Sequence, residues 1–134
     1  MKQVFIVAVV FVAISCSPRM SPDAGWARQR WVLTEMKRVP VQLSGGRRDA
    51  YLRFNPIEKT FSGNGGCNEI SGGYSLDKKT IRFTEVVATK MSCADMAFED
   101  AFLSTLSRVD RYEQRGGDLL LKKKREVLLR LTSR

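Results

Sequence analysis

The sequence predicts an α+β domain: a curved antiparallel β-sheet or partial barrel of short strands with one packed α-helix. Three observations carry this. Short alternating apolar stretches recur along the chain, as where Leu52 and Phe54 flank Arg53. Turn residues separate them, at Pro40, at Gly45 and Gly46, at Asn55 and Pro56, and at Gly116 and Gly117. A helical period occurs convincingly once, where Phe98, Phe102 and Leu106 repeat every four residues. A length of 134 residues suits one domain, and a hydrophobic share of 43% argues for a folded core.

Trp26 is read as an early anchor, and residues 31–36 as the first strand, with Trp31 and Leu33 inward. Residues 50–55 form the second and Thr60, Phe61 and Ser62 start the third. Residues 73–76 and 80–83 make a hairpin around Asp77, Lys78 and Lys79, with Ile81 and Phe83 on one face. The helix follows Cys93, with Ser92 or Asp95 as its N-cap and Asp95, Glu99 and Asp100 in its early turns, where the macrodipole favours negative charge. Strands resume at 108–113. A final pair, 119–121 and 127–131, flanks the basic run Lys122, Lys123, Lys124 and Arg125, with Val127, Leu129 and Leu131 on one face.

Residues 61–74 hold five glycines around a single cysteine, Cys67. Glycine is used where the backbone takes positive φ or passes close to something, so this is a specified turn system. A second stretch answers it downstream, Thr89, Met91 and Cys93, just ahead of the helix. The succession of Trp31, Phe54, Phe61, Gly63, Gly66-Cys67-Asn68, Gly72, Tyr74, Thr89, Met91, Cys93, Phe98, Glu99 and Phe102 resembles the META domain, the HslJ-like family. The resemblance spans roughly residues 30–131. It implies an association with stress response, drug tolerance and, in some organisms, secretion or motility. It transfers no catalytic residue.

The N-terminus reads as a targeting segment. Lys2 is a short basic region, and residues 4–14 are an apolar run too short to span a bilayer, which takes about 20 residues. The run ends at Ala13-Ile14-Ser15-Cys16, which is similar to the lipobox of bacterial lipoproteins, with alanine where leucine is usual. The expected division is a signal peptide over 1–15, a lipidated Cys16 and tether over 16–29, and the domain over 30–134. A signal peptide cleaved elsewhere is the competing reading. Lipidation implies a membrane-anchored envelope protein, with the outer membrane preferred where the cell has one, because Ser17 carries no evident inner-membrane retention signal. Cys67 and Cys93 then remain in an oxidising setting, where a disulfide is expected. Two reduced, buried thiols are the alternative.

With 23 Lys and Arg against 14 Asp and Glu, the formal charge is +9. An exported protein does not meet the chromosome, so no nucleic-acid partner is expected. Anionic lipid headgroups, an anionic envelope polymer or an envelope protein are the candidate partners. No cofactor is expected. Without histidine, two cysteines 26 residues apart make no zinc site and lack a partner for nucleophilic catalysis. Gly63, Gly65 and Gly66 lack the lysine and threonine of a phosphate loop. Adjacent Glu99 and Asp100 point apart on a helix and read as a solvated face. The chain is therefore expected to be non-enzymatic. Candidate binding residues are Asn64, Asn68 and Glu69 beside the glycines, and Lys122, Lys123, Lys124 and Arg125 in the basic run.

Overall fold

The computed structural model describes residues 25–46, 48–94 and 96–134. Eight antiparallel strands close into a ring in chain order, β1 (Arg30–Met36), β2 (Tyr51–Asn55), β3 (Thr60–Asn64), β4 (Glu69–Asp77), β5 (Thr80–Ala88), β6 (Arg111–Arg115), β7 (Asp118–Lys123) and β8 (Glu126–Ser133). Among the described residues one helix, α1 (Met96–Arg108), links β5 to β6. Every strand thus pairs with its chain neighbours, and β1 pairs with β8 to complete the ring.

The alternation seen in the sequence is the in–out alternation of the barrel wall. Trp31, Leu33, Leu52, Ile81, Leu119, Leu121, Leu129 and Leu131 are fully buried, whereas Arg53 and Arg82 are exposed. Phe102 and Leu106 of α1 join the same core, as the helical stripe predicts. An aromatic cluster fills another part of it: Trp26 meets Phe54 edge-on at 4.9 Å, and Phe54 meets Tyr74 at 5.2 Å. Trp26 and Ala27 lie in the core, ahead of the domain start expected at residue 30, and Trp31 Nε1 donates to Trp26 O at 2.8 Å. Among the described residues, the core is drawn from positions 26–131, and the eight strands and α1 lie within 30–133.

The ladder is uneven. β4 and β5 pair over seven positions, but β5 and β6 share only Thr80↔Arg111, with Ile81 N donating to Asp110 O and Tyr112 N to Lys79 O. Helix α1 enters the chain at this thin seam and packs on β5.

Three expectations need correction. Residues 108–110 are not strand: α1 runs to Arg108 and β6 begins at Arg111. Val127 does not share the inner face with Leu129. A bulge between Leu121 and Lys122 pairs Lys122 with Val127, so Leu128 turns in and Val127 is exposed. Ser92 stands four residues ahead of the first helical residue, too far to cap it. Asp95, the other proposed cap, and Cys16 with the whole leader and most of the tether, lie outside the described residues.

Candidate functional site

The stretch between β3 and β4 is a tight turn over residues 65–68, held by its own polar groups. Asn64 Oδ1 accepts from Gly66 N at 2.7 Å, as an asparagine-initiated turn does, and Gly65 N donates to Asn68 O at 2.8 Å. Two glycines here have distinct reasons. Gly66 sits at φ +115°, in a region L side chains rarely adopt, and a Cβ there would lie 2.9 Å from the Phe98 ring. At Gly65 a Cβ would lie 2.7 Å from Glu99 Oε2, so the missing side chain is the space that Glu99 occupies.

Glu99 is the residue that the sequence reading misplaced. It is 1% exposed, not on a solvated face. Its Oε2 accepts from Asn68 N at 2.6 Å and Cys67 N at 3.1 Å, and its Oε1 from Asn68 Nδ2 at 2.7 Å. The first turn of α1 thus supplies a carboxylate to the amides of the glycine turn. The signal was present: Glu99 lies three and seven residues before Phe102 and Leu106, on their buried face, while Asp100 does not and is exposed.

Asn68, also 1% exposed, completes the unit. Its Oδ1 accepts from Met91 N at 2.7 Å and Thr89 Oγ1 at 2.9 Å, while its Nδ2 also reaches Met91 O at 3.4 Å. Cys67 and Cys93 form a disulfide with their Cα atoms 6.2 Å apart. A bond closing a 26-residue separation stabilises by roughly 3–4 kcal/mol on the chain-entropy account. The turn, the 89–93 segment and the start of α1 are therefore joined by one covalent link and a set of buried and part-buried hydrogen bonds.

This placement changes the roles of the predicted site residues. Asn68 is not available to a ligand, because both ends of its amide are engaged inside the fold. Asn64 is half-buried and bonded to its own turn. Glu69 alone of the three is exposed, at the start of β4. The basic run lies elsewhere, at the β7–β8 turn. Lys122 pairs with Glu113 at 3.0 Å and Lys123 with Asp110 at 3.4 Å, and Lys124 N donates to Asp110 Oδ1 at 2.8 Å. Two of its four charges are thus opposed by carboxylates. Hydrogen bonding by Lys124 N holds the Asp110 carboxyl below its usual range, and the Lys122 ammonium does the same for Glu113. Among the described residues, no three of Cys, Asp and Glu gather into a group that would hold a metal ion.

The META domain model matches residues 24–134, from just before Trp26 to the last residue. The chain belongs to the META domain family. Within this META domain, the Gly-Cys-Asn turn and the Met-x-Cys segment, quoted above as separate motifs, are the two halves of one disulfide-tied unit. Solved structures share the fold. A protein from Burkholderia xenovorans, determined by NMR, is 20% identical over 97% of this chain and 99% of its own, with a TM-score of 0.67. A DUF4847 family protein from Bacteroides vulgatus is 15% identical over 82% of this chain and 95% of its own, with a TM-score of 0.58. At these identities the likeness is one of fold alone. No curated protein sequence matches the chain.

Proposed function

We propose that this META-domain protein is a cell-envelope lipoprotein that works without catalysis, as a membrane-tethered module supporting stress or drug tolerance or envelope integrity. The observation that carries the reading is the Cys67–Cys93 disulfide, because such bonds persist in oxidising compartments outside the cytosol. The apolar run ending at Cys16 supplies the route there and the anchor. The site chemistry points the same way. The buried carboxylate of Glu99 and the buried amide of Asn68 are engaged with backbone and with each other, which suits a rigid surface better than a reacting group.

Replacing Cys16 by Ser tests the anchor. The wild-type protein is expected in the membrane fraction and the Cys16→Ser variant outside it or uncleaved. A wild-type protein found free of the membrane contradicts the proposal.

A second reading, binding of an anionic lipid, polymer or small ligand through the basic surface, draws support from an observation away from the basic run. Arg28, Arg30 and Arg53 have no ion-pair partner among the described residues.

A further inference from the structure

The register of the first two strands sets Arg30 directly opposite Arg53. Like charges in this position repel across a sheet, and nothing among the described residues neutralises them with an ion pair. Both guanidinium groups instead lie over the ring of Tyr51, at 4.2 and 5.8 Å from its centroid. Arg134 closes the row on the other side, its N donating to Arg30 O at 3.0 Å, and Arg28 joins these three in lining a groove of about 510 Å³. The nearby carboxylates do not pair with them. Asp49 is buried and accepts from Ser44 N and Oγ, at 2.7 and 2.9 Å, though close enough to Arg134 to feel its charge. Glu69 lines the next cleft, beside Arg30 and Arg53.

The place of this row matters as much as its charge. β8 runs from Glu126 to Ser133, so the basic β7–β8 turn lies at its start and the arginine row at its end, roughly 25 Å apart at about 3.3 Å per residue. The chain enters the barrel on the arginine side, with Gly25 five residues ahead of Arg30. Gly25 is nine residues after Cys16 (25 − 16 = 9), a span of at most about 30 Å. An acyl anchor at Cys16 therefore keeps the arginine row near the bilayer.

We infer that the groove of Arg28, Arg30 and Arg53 is a contact surface for anionic phospholipid headgroups, which seats the barrel on its own membrane. This rests on the tethered-module reading for its biological setting, but its test does not. Residues 17–134, which carry no lipid, are mixed with phosphatidylcholine vesicles with and without phosphatidylglycerol. Binding is expected only to the phosphatidylglycerol vesicles, weakening as salt rises. The side chains of Arg28 and Arg53 are exposed and make no hydrogen bond or ion pair among the described residues, so Arg28→Gln with Arg53→Gln is expected to keep the wild-type melting temperature. At about fivefold per arginine near a charged surface, the double variant should bind roughly 25-fold more weakly. Lys124→Gln with Arg125→Gln at the far turn should change binding less than about twofold. Absent binding to phosphatidylglycerol, or an equal loss in the far-turn variant, overturns the inference. Binding of soluble polyphosphate without binding of the vesicles assigns the groove to a polymer and overturns it equally. These results leave the Cys16→Ser fractionation untouched, so the two ideas fail separately.

Discussion

Glu99 does more for this fold than its position in the sequence suggests. Truncating this buried carboxylate leaves Asn68 N and Cys67 N without their acceptor, and Asn68 Nδ2 with only its longer contact to Met91 O. Glu99→Ala is expected to destabilise by about 3 kcal/mol or more, the cost of orphaned buried donors. Glu99→Gln keeps the shape but turns a donor towards Asn68 Nδ2, so a loss of about 2 kcal/mol is expected. Denaturant melts of the two variants check this, and a loss under about 0.5 kcal/mol for Glu99→Ala would contradict the account. Gly65 belongs to the same argument, because its absent side chain is the room for Glu99. The sequence showed that the glycines were specified but not for what. A local pattern names the residues that turn, whereas the group filling the space at Gly65 is Glu99 of α1, 34 positions downstream (99 − 65 = 34).

At the scale of elements, strand alternation and the single helical stripe were legible because both are local periods read directly as burial. Trp31, Leu33, Leu52, Phe102 and Leu106 are all buried where the pattern put them. What escaped were register effects. The bulge at Leu121 exchanges Leu128 for Val127, and no period of two announces a skipped residue. The β7–β8 turn illustrates how little exposed charge decides. Lys123 pairs with Asp110 at the surface and is half-exposed, so Lys123→Gln with Lys124→Gln should shift stability by less than about 0.5 kcal/mol. A larger loss in a thermal melt would make the turn charges structural. The surface carboxylates give a pH dependence of definite sign. Asp110 is held low by Lys124 N, Glu113 by Lys122, Asp118 by the Thr132 hydroxyl and Arg130, and Glu126 by Lys37. Each is depressed in the folded protein, so each contributes stability that is complete above the unfolded value and is lost as pH falls through the lower folded value. The melting temperature should be flat from neutrality to about pH 5 and drop below about pH 4. Because these carboxylates lie at the surface within reach of solvent, added salt should shrink the drop.

At the scale of the whole molecule, the ring of eight strands follows chain order throughout, which is why a list of short strands was enough to anticipate a curved antiparallel sheet with one packed helix. Closure itself was not legible, since it rests on β1 meeting β8 about 100 residues away. The candidate site was legible only in part. Its cysteines and its turn stood out, yet Asn68 proved to be internal and the arginine row went unnoticed, because Arg30 and Arg53 become neighbours only through strand register.

As proposed, this META barrel reaches the envelope and is acylated at Cys16, with Cys67 closed to Cys93. Intact mass spectrometry of the protein extracted from membranes without reductant reads all three together. The account predicts a chain beginning at Cys16, heavier by its acyl groups and lighter by two hydrogens for the disulfide. A mass matching an unmodified chain that begins elsewhere, or one that retains both thiol hydrogens, would contradict it.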